Sequence, residues 1–237
     1  MKTCFLAFLL AFSTASTARD LTVPLDAEAQ AKLTPAEVVQ LMKEGNQRFL
    51  ANTPVERNFL EQIKTTSTGQ YPMATVLGCI DSRVPHEIIF DKGVGDIFSV
   101  RIAGNFINSD ILGSMEFATA VAGSKVIVVL GHTECGAVKG ACDNVEMGNL
   151  TSTLSNIAPA VYSVGHRHDV RNSKNKAFVD DVTHANVDLT VRNIVERSPI
   201  LRQLVDDGKL IVIGAMHDVQ TGEVTFFDDK KIDKSSL

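Results

Sequence analysis

The chain has 237 residues, is 44% hydrophobic and 22% charged, and carries a formal net charge of −5. A chain of this length and make-up buries a core without the help of disulfides. Its mild acidity gives no sign of a nucleic-acid-binding surface, and no internal repeat or low-complexity tract is present.

At the N-terminus, Lys2 precedes the apolar run 4–12, which is followed by the small residues 13–18. Ser16 and Ala18 fit the small-x-small rule for cleavage before Arg19, so residues 1–18 are expected to be a secretory signal peptide and the chain periplasmic or secreted. The run is too short to span a bilayer, and no later apolar stretch reaches the roughly 20 residues a span requires. Cleavage removes Cys4 and leaves Cys79, Cys135 and Cys142. An odd count is not a disulfide framework, although a Cys79–Cys135 or Cys135–Cys142 bridge stays open. Metal ligation is the better use of thiols that stand among other ligands.

Residues 19–33 read as a polar lead-in without period. A helical arm over 34–50 opens with Thr34 as N-cap, Pro35 in the first turn and Glu37 closing a capping box. Its apolar stripe is Val38, Leu41, Met42 and Phe49. Residues 52–72, with Pro54, Gly69 and Pro72, read as loop. Strands are expected at 73–79 (MATVLGC), 97–101, 125–130 (KVIVVL), 210–215 (LIVIGA) and 224–227. Helical patterns cover 111–122, 136–147, 150–164 and 178–189, and a short helix follows Ser198-Pro199 and stops at Gly208. Strands alternating with helices predict an α/β fold with a mostly parallel central sheet flanked by helices. The domain then runs over 34–237.

Cys79 ends the first expected strand, in CIDSRV at 79–84, and His132 lies just past the third, in GHTECG at 131–136. Ligands of open parallel sheets bind outside the carboxyl ends of strands, so the two segments can meet there. Two thiolates and an imidazole suit zinc, and three protein ligands with a fourth position open is its catalytic arrangement. Asp81 either closes the zinc as a fourth ligand or pairs with the Arg83 guanidinium, which leaves the position to water for the carboxylate to orient. Zinc lowers the pKa of a bound water toward ~7.

These motifs resemble those of the beta-class carbonic anhydrases, in the plant-like branch, and the likeness covers roughly residues 33–227. Gly45-Asn46-Gln47-Arg48-Phe49 is similar to the family's helical arm, and FSVRIAGN at 98–105 to its second-strand segment. The resemblance implies one zinc per chain on Cys79, His132 and Cys135, an Asp81–Arg83 dyad, and reversible hydration of carbon dioxide to bicarbonate and a proton. It places Gln70 where the plant-like branch hydrogen-bonds substrate, and the backbone N–H of Gly136 suits a bicarbonate oxygen. Val84, Phe98 and Ala103 suit the walls of a carbon dioxide pocket, with plain core packing as the alternative. Where regulated relatives carry Trp, this chain has Val76; the plant-like Tyr and His are Phe117 and Val121. His86 reads as a surface histidine, the GHRHD stretch at 165–169 as a solvated loop, with metal capture as the alternative, Gly93-Val94-Gly95 as a turn before the second strand, and Asn149 as a glycosylation sequon only in a eukaryotic cell. His184 and His217 receive no role. The family also implies a homodimer or dimer of dimers, with the arm packed on a neighbouring subunit and Gln70 and Phe98 lining the partner's zinc site. Two other functions share these residues: a carbon disulfide or carbonyl sulfide hydrolase of the same fold, and a non-catalytic zinc module closed by Asp81.

Overall fold

The computed structural model describes residues 19–165 and 168–227. In chain order the elements are α1 (Ala27–Lys32), α2 (Pro35–Leu50), α3 (Phe59–Thr66), β1 (Ala74–Gly78), the single turn α4 (His86–Ile89), β2 (Ile97–Arg101) and α5 (Ser109–Glu116). A π-helical turn, Phe117–Val121, extends α5. Then come β3 (Val126–His132), α6 (Gly136–Cys142), α7 (Gly148–Ser155), α8 (Ala158–Ser163), α9 (Lys176–Arg197), α10 (Pro199–Asp206), β4 (Ile211–His217) and β5 (Val224–Phe226). The sheet order is β2-β1-β3-β4-β5, parallel except for the antiparallel β5.

Residues alternate across the sheet as the strand period requires. Val76, Val128, Leu130 and Ala215 face one layer with Val38 and Met42 of α2. Leu77, Ile127 and Val129 face the other layer with Leu112, Ile194 and Leu201 from α5, α9 and α10. A third cluster, around Cys79, Cys135, Val138, Ile157 and Phe178, sits beyond the carboxyl ends of the strands.

Two stretches read as irregular contain helices. The lead-in holds α1, capped by Asp26, which accepts from the Ala29 N–H. Its six residues are too few to display a helical period. The 52–72 stretch holds α3, capped by Asn58. Its apolar residues Phe59, Leu60 and Ile63 are exposed, and the helix is fixed by buried Gln62, which donates to Thr22 O and accepts from the Val94 N–H. Conversely, α6 stops at Cys142 because Asn144 takes a left-handed φ of 51°. The single helix expected over 150–164 breaks between α7 and α8, where Asn156 folds back on the carbonyls of Ser152 and Thr153.

The apolar stripe of α2 finds cover within the chain itself: the helix lies on its own sheet, where Val38 and Met42 are fully buried. Asn46 clamps it there. Its Nδ2 donates to Ile89 O and Gly222 O, and its Oδ1 accepts from the Val224 N–H. His86 is a correction: it is buried, not on the surface. Substituting Asn46→Leu should destabilise the chain by about 2–4 kcal/mol, since three buried bonds are lost and their partners left unpaired. Urea unfolding measures this, and a loss under 1 kcal/mol on the same scale would show that the clamp does not hold the arm.

Candidate metal centre

β1 and β3 pair in parallel with Gly78 opposite Leu130. Cys79, the residue after β1, therefore stands beside the end of β3, whose last residue is His132. Cys135 follows a tight turn and is the N-cap of α6; that turn is made by Glu134 at a φ of 58°. Gly78 is required by its neighbour, because a Cβ there would meet His86 Nε2 at 2.1 Å.

The ligand atoms of Cys79, His132 and Cys135 lie within 4.8 Å of one another, and all three residues are buried. The sulfurs are 4.0 Å apart and the thiols free. Tetrahedral zinc with bonds of ~2.3 Å would set two sulfurs about 3.8 Å apart. The imidazole is oriented by its own backbone: Nδ1 is 2.9 Å from Thr133 O, and a carbonyl can only accept, so Nδ1 carries the proton. Among the described residues, Nε2 is left as a buried acceptor without a partner. Such an orphan costs roughly 1–3 kcal/mol unless something binds it. The thiols point the same way. The Cys135 thiol, hydrogen-bonded to the Cys79 sulfur, pulls Cys79 below the ordinary thiol range, while Cys79 and burial push Cys135 up. The pair holds one negative charge readily and a second only with a cation between the sulfurs. Geometry and donor chemistry both fit zinc.

Beside this cluster, Arg83 grips Asp81 with two parallel bonds, Nε to Oδ1 at 2.9 Å and Nη2 to Oδ2 at 2.7 Å. These bonds hold the Asp81 carboxyl well below the usual carboxylate range. Its Oδ2 is 3.9 Å from His132 Nε2, yet Asp81 does not join the mutually close ligand set.

Three contributors escaped the sequence reading. Arg101, at the end of β2, donates to Cys79 O at 2.9 Å and Asp81 O at 2.6 Å, bracing the backbone between ligand and carboxylate. Gly104 turns at a φ of 82° and donates its N–H to Cys79 Sγ at 3.4 Å. Asn186 of α9 donates to Gly104 O at 2.8 Å. Arg101 and Gly104 stand inside the FSVRIAGN segment; Asn186 carried no signal, because only the fold brings it there.

Other expected residues are dispersed. Gly136 begins α6 and faces open space. Ala103 is half-buried beside Gly104. Val84 is fully buried in the α2-side core. Gln70 is exposed before β1, at the end of the strand opposite Cys79; five strand residues put about 16 Å between those ends. Phe98 sits low on the edge strand β2, edge-to-face with Phe117 at 6.4 Å, in an open groove of about 480 Å³. His166 lies outside the described residues, and His168 hydrogen-bonds Asp181 at 2.8 Å.

A sequence profile of the carbonic anhydrase family matches residues 74–224. "Carbonic anhydrase 2" of Mycobacterium tuberculosis is 35% identical over 200 residues, covering 82% of this chain and 93% of the relative. A carbonic anhydrase of Mycolicibacterium smegmatis is 33% identical, covering 80% and 92%. A solved tetrameric β-carbonic anhydrase from Sordaria macrospora superposes with a TM-score of 0.63 at 26% identity, covering 70% and 85%.

The bracing role of Arg101 is testable. Arg101→Met should weaken zinc affinity about tenfold, as loss of an outer-shell partner does, measured by competition with a chromophoric chelator. Unchanged affinity would mean that Arg101 does not hold the ligand segment.

Proposed function

This chain is a member of the β-carbonic anhydrase family, and from that membership together with the three-ligand cluster we infer that it catalyses the zinc-dependent, reversible hydration of carbon dioxide to bicarbonate and a proton. The observation that carries the reading is the Cys79–His132–Cys135 cluster standing beside an Asp81 held at both oxygens by Arg83. Zinc, when bound by those three residues, supplies the Lewis acidity that makes water a nucleophile at neutral pH.

The chain's own residues then have distinct tasks. Arg83 keeps Asp81 ionised, so the carboxylate can only accept, and it orients a water proton at Oδ2. Because both carboxylate oxygens face Arg83, Asp81 is a positioning acceptor rather than a fourth ligand, which disfavours the closed, non-catalytic zinc module. His132 is fixed through Thr133 O, and Cys79 through Gly104 and Arg101. Gly136, next to Cys135, offers its N–H to a bicarbonate oxygen. Ala103, half-buried next to Gly104, is proposed as a pocket wall, whereas Val84 packs within the core.

Gln70, ahead of β1, and Phe98, near the start of β2, stand too far from Cys79 to serve the site of their own chain, so their proposed roles belong to a second copy. The proposed assembly is a homodimer or dimer of dimers that covers the β2 edge, where half-buried Phe98 and exposed Phe117 line an open groove. Gln70 and the absence of Trp at position 76 support the plant-like branch. Lys2, the apolar run 4–12 and the small residues before Arg19 support export; the leader lies outside the described residues.

In stopped-flow indicator assays the zinc-loaded protein should hydrate carbon dioxide, and Asp81→Asn should lower the rate about 100-fold or more, the usual scale for a lost proton acceptor. Turnover of carbonyl sulfide or carbon disulfide alone would favour the hydrolase, and silence on all three substrates would overturn catalysis. Protein taken from its native source should begin at Arg19 and sediment as a dimer or larger. A chain beginning at Met1 would contradict export, and a monomer the shared site.

A further inference from the structure

Behind the Gly104 turn lies a cavity of about 210 Å³, open between the α7–α8 junction and α9. Phe106 and Leu189 supply apolar wall, while Asn186, Thr190, Asn193 and Arg197 supply polar groups. Asn186 and Thr190 are buried, a setting in which polar atoms are normally paired. Asn186 commits its Nδ2 to Gly104 O. Among the described residues, none bonds Asn186 Oδ1, the Thr190 hydroxyl, the Asn193 amide or the Arg197 guanidinium; Asn193 is half-buried and Arg197 exposed. They open on the cavity they line.

We propose that this cavity binds a small organic carboxylate, with its carboxylate on Arg197 and its polar substituents on Thr190, Asn193 and Asn186, and that occupancy is transmitted to Cys79 through Asn186 and Gly104. A guanidinium matches a carboxylate in plane and spacing. The amides and hydroxyl offer both donors and acceptors, which suits a hydroxyl-bearing carbon rather than a bare inorganic ion, and Phe106 and Leu189 cover the carbon skeleton. Gly104 is held from both sides, its carbonyl by Asn186 and its N–H against Cys79 Sγ. A ligand that moves the Asn186 amide therefore moves a hydrogen bond to the ligating sulfur. The transmission rests on the zinc reading above; the carboxylate site does not.

The test is a ¹H–¹⁵N titration of the full, zinc-loaded protein with lactate, with neutral lactamide as control. Saturable shifts are expected at the Asn186 and Asn193 side-chain amides and at the Gly104 backbone amide, at millimolar lactate, with none from lactamide. Arg197→Met and, separately, Asn193→Leu should each raise the dissociation constant, the former about tenfold or more. Absence of shifts at the two side chains, equal binding of lactamide, or undiminished binding by R197M would overturn the site. Shifts at the side chains without one at Gly104 would overturn the transmission. A chain that binds lactate but hydrates no carbon dioxide would uphold the site while refuting the enzymatic reading.

Discussion

Parallel hydrogen bonding between β1 and β3, with Gly78 opposite Leu130, is the contact from which the metal centre follows. In parallel neighbours the carboxyl ends lie side by side, so residues that follow the two strands face each other without any long excursion of chain. Continued by one residue, that register sets Cys79 level with Gly131 and next to His132, the last residue of β3, and one tight turn returns Cys135 to the same point. A slip by one residue would send His132 to the opposite face of the sheet. The register is itself secured by continuous burial: every residue of β1 and β3 is buried, with α2 packed on one face and α5, α9 and α10 on the other.

Assembling the ligands has an energetic cost that the rest of the fold must carry. A buried imidazole acceptor lacks a partner, and two sulfurs stand where both cannot ionise alone. A cation offsets both costs at once, so binding the metal and completing the fold become one event. The two arginines divide the remaining work. Arg101 fixes the backbone on either side of Ile80, and Arg83 fixes the carboxylate. With Arg83 on Asp81, the acid stays charged and 3.9 Å from His132 Nε2, outside the mutually close group of Cys79, His132 and Cys135.

Much of this was legible in the amino-acid sequence because the governing signals are local. Strand β2 is bounded as expected, and the two ligand motifs, with their thiol and imidazole donors at strand ends, together point to zinc. β3 and β4 run further than their apolar runs because the sheet continues through His132 and His217, whose polar side chains end the hydrophobic signal but not the pairing. What stayed hidden depends on distant partners. α3 is fixed by buried Gln62 rather than by an apolar stripe, so it showed no period. His86 is buried because Gly78 leaves room for it, which no local pattern reveals. That the α2 stripe has Val38 and Met42 on its own sheet could not be read locally, because an amphipathic stripe says that a surface is covered, not whose. Gln70 and Phe98 remain apart from the centre for a similar reason: their expected roles need a second copy of the chain.

The central claim is that zinc sits on two sulfurs and one imidazole, with Asp81 outside its ligand set. X-ray absorption at the zinc edge addresses it directly, on the wild-type protein and on D81N. The account predicts two sulfurs at about 2.3 Å and two lighter atoms at about 2.0 Å in both proteins, with superimposable spectra. A first shell with fewer than two sulfurs, or one that changes when Asp81 becomes Asn, would contradict it.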